Sequence, residues 1–170
     1  ESKKMAYLNA RYDLLKKSYL EDSRFIETNN RNTFFMRAIS ELFPKSKFIH
    51  LVRHPGDFVR SGIRRKYYKG NEYDDSRLTP LVSEEAYNSW NEFSDIEKIG
   101  WLWNTTNNFI EKEKVHLTAD RIILIKSEDL FSRIDPVYCG KTSRSEADLQ
   151  IRVSCSDYVQ LFLLLILQGQ

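Results

Sequence analysis

Lys47-Phe-Ile-His-Leu-Val-Arg-His-Pro-Gly-Asp-Phe-Val-Arg-Ser61 decides how the rest of the chain is read. Residues 47–52 are apolar enough for a central strand. Arg53-His-Pro-Gly56 then turns the chain, because Pro55 fixes its own φ and keeps the residue before it extended. A helix starts near Asp57 and runs to Tyr68. Arg53 thereby falls at the carboxyl end of a strand, the edge at which open α/β sheets take their ligands. Gly56 removes a side chain where a ligand would approach, and the helix start brings unpaired N–H groups with a partial positive charge. Ser61 follows Asp57 by one turn, with Arg64, Arg65 and Tyr68 further along the same helix. A guanidinium, a hydroxyl and a helix start that converge make a phosphate site.

Upstream, Met5, Leu8, Tyr12, Leu15 and Tyr19 recur at alternating spacings of three and four, which predicts an amphipathic helix over residues 3–20 with that stripe inward. Arg24-Phe-Ile-Glu27 is a short strand closed by the polar Thr28-Asn-Asn-Arg31. Phe35, Ala38, Ile39 and Leu42 form a helical stripe that stops before Pro44. Downstream, residues 71–88 carry turn signals without a period and read as a long loop. Ser94 or Asp95 caps the next helix, with Glu97 completing a capping box and Ile96, Ile99, Trp103 and Ile110 facing inward. Arg121-Ile-Ile-Leu-Ile-Lys126 is the third strand. Strands and helices alternating over short connections predict an α/β fold, a parallel sheet flanked by helices. Residues 1–135 carry this pattern and residues 136–170 do not. The tail holds seven consecutive apolar residues, Leu161 to Leu167. They read as a buried strand or helix end, with a cut-off membrane span or an out-of-frame tail as the other readings; a span needs about 20 residues.

Composition narrows the function classes. The chain has 170 residues, 41% hydrophobic and 29% charged, which is a globular balance and excludes a disordered or fibrous protein. Two cysteines and three histidines provide neither a disulfide framework nor a metal-ligand spacing, so no metal is expected. Lys and Arg number 26 against 24 Asp and Glu, a net charge of +2 that argues against a protein dedicated to coating DNA. The charge is uneven, however. Arg53 to Lys69 holds six bases and one acid, whereas Asn71 to Gly100 holds eight acids and two bases. A basic helix beside an acidic loop either focuses an anionic ligand or pairs locally.

The stretch from Phe43 to Ser61 closely resembles the second nucleotide-binding motif of the sulfotransferases, enzymes that move a sulfuryl group from 3′-phosphoadenosine 5′-phosphosulfate (PAPS) to an acceptor. The likeness extends from about Arg24 to Phe131, through Phe25-Ile-Glu-Thr-Asn-Asn30, Trp103-Asn104 and Lys126-Ser-Glu-Asp-Leu-Phe131. It implies a P-loop-type, nucleotide kinase-like fold. It also implies that Arg53 and Ser61 grip the 3′-phosphate of PAPS; Arg65, from its place on the same helix, is a further candidate contact. The family's first strand and Gly-rich P-loop, which cradle the 5′-phosphosulfate, have no counterpart before Arg24. The chain's six glycines lie at 56, 62, 70, 100, 140 and 169. The resemblance therefore predicts an α/β domain incomplete at its N-terminus, a nucleotide donor held at one end, and little turnover by this chain alone. The compartment stays open between the cytoplasm, for a bacterial protein, and the Golgi lumen, for a eukaryotic one.

An acceptor hydroxyl or amine needs a base. Glu27 at the end of the first strand is the leading candidate, since strand-end placement would put its carboxylate at the edge that carries Arg53. Some carbohydrate sulfotransferases have a catalytic Glu opening a similar stretch, which Glu27 to Asn30 matches loosely, with Thr28 where that version has Lys. The other reading of Glu27 is a cap or a structural ion pair. His54 is assigned a supporting place and His50 a core one. Trp101, Trp103 and Phe109 read as packing before an adenine platform. Tyr67 and Tyr68 either line an acceptor pocket or pack under the loop. Glu128 and Asp129 either cap the following turn or position a neighbour. Sugar, lipid and small-molecule acceptors all remain open, as does membrane association, and nucleic acid is not expected as a partner. The competing function is a basic nucleic-acid- or phosphate-binding module without catalysis, which explains the charge cluster but not Arg53, Pro55 and their place at a strand end.

Overall fold

The computed structural model describes residues 1–129 and the strand at 162–167. Its first helix, α1 (Ser2–Leu20), forms where the spacing predicts, but its inward face is turned. Met5, Tyr12 and Tyr19 are 50%, 61% and 77% exposed, while Tyr7 is buried and Leu8, Arg11 and Leu15 are partly so. Polar chemistry sets the rotation. Tyr7 and Arg11 both reach Glu27 on the neighbouring strand, and Lys4 pairs with Glu41 at 2.8 Å. A periodicity count of apolar residues does not register such pairs.

After β1 (Phe25–Thr28), the polar run makes a 3₁₀ turn over Asn30–Phe35, capped by Asn29, whose side chain accepts the N–H of Arg31 at 2.9 Å. Next come α2 (Met36–Leu42), β2 (Lys47–Val52) and α3 (Pro55–Arg64). The long loop contains a 3₁₀ turn at Asp74–Ser76 and a short α-helical turn, α4 (Ala86–Ser89), before α5 (Asp95–Lys114). The capping box at its start is present: Glu97 accepts the N–H of Ser94 at 2.7 Å and Ser94 accepts the N–H of Glu97 at 3.4 Å. On α5, Ile99 and Ile110 are fully buried, whereas Ile96 in the first turn is 60% exposed.

The sheet order is β1-β4-β2-β3, with β3 at Ile122–Lys126 and β4 at Phe162–Leu167. The expectation of a parallel sheet holds in part. β2 and β3 pair in parallel from Phe48↔Ile122 to Val52↔Lys126, but β4 runs antiparallel between β1 and β2. The apolar tail run is thus a strand, and among the described residues it is the element that joins β1 to the sheet. The remainder of the tail, including Cys139 and Cys155, lies outside the described residues. No helix among the described residues is long and apolar enough to cross a membrane.

Two cores result. Phe48 on β2 packs with Tyr7, Met36, Ile39 and Ile110, so α1, α2 and α5 share one face of the sheet. Phe58, Tyr67 and Ile99 form the second core between α3 and α5, with Val52 and Trp103 against it. Arg121 ties the strand starts to α2, donating to the carbonyls of Phe43 at 3.2 Å and Ser46 at 3.0 Å and to the Ser46 hydroxyl at 2.9 Å. The Phe43 carbonyl, just past the end of α2, also accepts the N–H of Ser46 at 2.9 Å, so the guanidinium reinforces the turn that follows the helix.

The α3–α5 contact depends on Gly62. A Cβ there would come within 2.8 Å of Ile99 Cγ2 and 3.1 Å of Tyr67 Cδ2. Gly62→Ala is expected to destabilise the chain by about 1–3 kcal/mol through overpacking, despite the better helix propensity of Ala. Thermal unfolding of the variant measures this, and an unchanged midpoint would mean the two helices separate without cost.

Candidate nucleotide-phosphate site

The site is built on the way β2 ends. Its last ladder pair is Val52↔Lys126, so the backbone beyond it needs other partners. The Arg53 carbonyl accepts the indole N–H of Trp103 at 2.9 Å, and the His54 N–H donates to Glu128 Oε1 at 2.8 Å. His54 has φ −52° and ψ 132°, the extended conformation that a residue before Pro favours, and it serves as the N-cap of α3. Its Nδ1 accepts the N–H of Gly56 at 3.2 Å, and its carbonyl accepts those of Asp57 at 3.1 Å and Phe58 at 3.0 Å. The N–H groups expected to be open at this helix start are therefore engaged within the turn. Gly56 has a local reason as well: a Cβ there would stand 3.3 Å from His54 Nδ1. The missing side chain makes room for the imidazole.

Arg53 stands half-buried at this edge. Ser61 is 5% exposed, and its hydroxyl oxygen is buried without a hydrogen-bond partner. A buried hydroxyl left unpaired is costly, about 1–3 kcal/mol. Arg65 follows Ser61 by one turn, about 6 Å along the axis, and its N–H donates to the Ser61 carbonyl at 3.1 Å. The structure thus brings Arg53 and Ser61 onto one strand–turn–helix, with Arg65 at its far end.

α3 stops at Arg64, four residues earlier than the spacing predicts, because Lys66 and Tyr68 take the left-handed conformation with φ of 55° and 61°. Both tyrosines consequently leave the helix face. Tyr67 is buried beneath the Arg77 guanidinium, 3.4 Å from the ring centroid, and the Tyr68 hydroxyl donates to the Leu78 carbonyl at 2.7 Å. Burial pushes that hydroxyl well above its usual pKa. They pack under the loop. Trp90 stacks edge-on against Tyr68 at 5.3 Å and Trp101 at 5.1 Å, so Trp101 belongs to loop packing too.

Much of the uneven charge pairs locally. Arg60 pairs with Asp57 at 3.2 Å and Lys69 with Asp95 at 2.6 Å. Asp74 accepts from the N–H groups of Tyr68 and Asn71 and from Arg77 Nε, at 3.0, 2.9 and 2.7 Å. Burial alone would raise its pKa, but those donors together hold it below the usual value. The acids at these positions organise the loop and are not arrayed for a ligand.

Glu27 lies elsewhere. It is level with Leu165 on β4, which is level with Phe48 on β2, five residues before Arg53. That offset is about 16 Å along the strand direction, so Glu27 and Arg53 do not share an edge. Its Oε1 receives Arg11 Nε at 2.6 Å and Nη2 at 2.5 Å, and its Oε2 receives the Tyr7 hydroxyl at 3.1 Å. Burial first, and then the charge of Glu27, push the Tyr7 hydroxyl well above its usual pKa.

His50 is 2% exposed on β2. Its Nε2 pairs with Asn107 Oδ1 at 3.0 Å, and because the Asn107 amide donates to the Trp103 carbonyl at 2.7 Å, Nε2 carries the proton. Nδ1 is buried without a hydrogen bond; Glu111 Oε1 stands 3.6 Å away. Among the described residues no three His, Cys, Asp or Glu side chains group as a metal site requires.

The model of the sulfotransferase family matches residues 3–133, and the chain belongs to that family. No curated protein and no solved structure matches it. Sequence reasoning underrated Trp103, whose indole N–H holds the Arg53 carbonyl. The available signal was its place on the buried stripe of α5, where an indole N–H has to find an acceptor. Arg11 and Tyr7 carried no such signal, since each is ordinary on an amphipathic helix.

Burial lowers the His50 pKa below its ordinary 6.5. A depressed histidine contributes stability that is full above the unfolded pKa and is lost as pH falls through the folded one. Thermal midpoints should therefore fall between pH 7.5 and pH 5.5 in the wild-type chain, and by distinctly less in His50→Gln. Parallel curves for the two would remove His50 as the cause.

Proposed function

We propose that the chain is a PAPS-dependent sulfotransferase domain of P-loop type, in which Arg53 and Ser61 hold the donor's 3′-phosphate. The observation that carries this reading is the orphaned, buried Ser61 hydroxyl on the helix that follows Arg53. A phosphate oxygen is the acceptor such a hydroxyl lacks, and a planar guanidinium at the strand end supplies the charge-assisted, bidentate partner. Arg65 adds a second cation one turn beyond Ser61. The donor supplies an activated sulfuryl group when bound; the residues of this chain bind and orient its nucleotide end, which is how most such transfer is catalysed. The acceptor, a sugar, lipid or small molecule with a hydroxyl or amine, is proposed to meet the loop at 71–88, which packs through Arg77 and Leu78 onto Tyr67 and Tyr68 just past the end of α3.

Calorimetric titration with adenosine 3′,5′-bisphosphate tests the reading. The wild-type chain is expected to bind, and Arg53→Ala or Ser61→Ala to weaken binding at least tenfold. Affinity should fall only modestly with salt, because one nucleotide makes few phosphate contacts. A steep salt dependence would favour the nucleic-acid reading, and unchanged affinity in Arg53→Ala would place the site elsewhere.

Glu27 is proposed as the acceptor's base on its loose match to the catalytic Glu of some carbohydrate sulfotransferases, while its distance from the Arg53 edge and its bonds to Arg11 and Tyr7 favour a second role, holding α1 to the sheet. Glu27→Gln separates the two. A base predicts a large fall in kcat with the unfolding midpoint little changed. An anchor predicts a loss of about 2 kcal/mol in stability, the scale of hydrogen bonds to a charged group, with kcat per folded molecule retained.

A further inference from the structure

The two bonds beyond the end of β2 meet on one peptide unit. The carbonyl of Arg53 and the N–H of His54 are the two polar groups of the Arg53–His54 peptide, and each is taken by a side chain from a different element. We propose that Trp103 and Glu128 are positioning residues for the phosphate grip: together they fix the plane of the Arg53–His54 peptide and so aim the Arg53 side chain and the start of α3 at once. This rests on the assignment of Arg53 and Ser61 to the donor's 3′-phosphate.

A peptide unit is planar, so its orientation is set by the rotations on either side, ψ of Arg53 and φ of His54. One bond to one of its groups leaves a swinging plane; a donor on the carbonyl and an acceptor on the N–H remove that freedom. Pro55 already narrows the choices of His54. The first rotation sets the direction of the Arg53 side chain relative to the turn. The second carries His54, whose Nδ1 and carbonyl start α3, the helix that holds Ser61.

Both clamping side chains are themselves held. Trp103 packs against the Phe58, Tyr67 and Ile99 core, and its own carbonyl accepts from Asn107, which pairs with His50. Indole N–H is a donor only, so it can serve the carbonyl and not the N–H. Glu128 accepts the hydroxyl of the buried Ser127 at 3.1 Å as well as the His54 N–H. The bond from the His54 N–H, above other causes, holds the Glu128 carboxyl below its usual pKa, which keeps it an acceptor at neutral pH. A carboxylate beside a phosphate grip is otherwise unfavourable, since like charges repel. Its engagement with a backbone N–H gives it a reason to be there.

That reason makes a distinctive prediction. Glu128→Gln keeps an acceptor oxygen and removes the charge, so the affinity of the 170-residue chain for adenosine 3′,5′-bisphosphate should equal or exceed the wild type. Glu128→Ala and Trp103→Phe each remove one arm of the clamp and should weaken that affinity roughly tenfold. Adenosine 5′-monophosphate lacks the 3′-phosphate, so its affinity should not change. The double variant should lose little more than either single one, because both arms act on the same peptide. Thermal unfolding of each variant identifies the folded fraction used in the titration. Equal losses for the two nucleotides would reduce Trp103 and Glu128 to general structural residues and overturn the proposal. A gain in both Glu128→Ala and Glu128→Gln would also overturn it, leaving only charge repulsion. Absence of bisphosphate binding by the wild-type chain would overturn the nucleotide reading itself, and the positioning role with it.

Discussion

A strand that ends at a ligand edge has to stop hydrogen bonding to its neighbours without leaving its backbone unpaired. β2 meets this constraint with side chains from α5 and from the turn after β3, and the local architecture follows from it. α5 must lie across the strand at a distance that lets an indole reach a carbonyl. That requirement explains the bare surface at Gly62, where α3 and α5 come together too closely for a Cβ. The same helix bonds the middle of β2 through Asn107 and His50. β2 is thus laced to α5 at two points, one in its span and one just past its end.

The proposed anion site is simpler than a converging helix start, guanidinium and hydroxyl. The helix start is closed by His54 and its carbonyl, leaving Arg53 and the unpaired hydroxyl of Ser61 as the groups suited to a phosphate. Most of the neighbouring acid charge is engaged in building the loop and the caps, with Asp74 as the main organiser. Near-neutral net charge is compatible with the proposed phosphate edge, because such an edge depends on a few aimed groups. A wide electrostatic field is not needed.

Where local chemistry rules, the sequence was legible. The strand at residues 47–52, the turn at Pro55 and the Ser94–Glu97 capping box follow from patterning, proline geometry and cap chemistry, all short-range. Three features depended on long-range pairing and were not legible. The rotation of α1 follows from Arg11 and Tyr7 meeting Glu27, a partner sixteen and twenty residues away. The insertion of β4 between β1 and β2 joins residues over a hundred positions apart. The early end of α3 depends on the loop that folds back onto Tyr67 and Tyr68. In the proposed site, the placement of Arg53 just past β2 and of Ser61 on α3 was readable from the motif. The clamp on the Arg53–His54 peptide was not, because backbone partners leave no mark at their own positions.

A small, aimed ligand edge and a broad basic surface differ in which amides respond to adenosine 3′,5′-bisphosphate, followed by NMR through backbone amide chemical shifts during titration. For the aimed edge, the largest saturable changes are expected on Arg53, His54, Gly56 and Ser61. Changes centred instead on Arg60, Arg64, Lys66 and Lys69, growing without saturation, would contradict it.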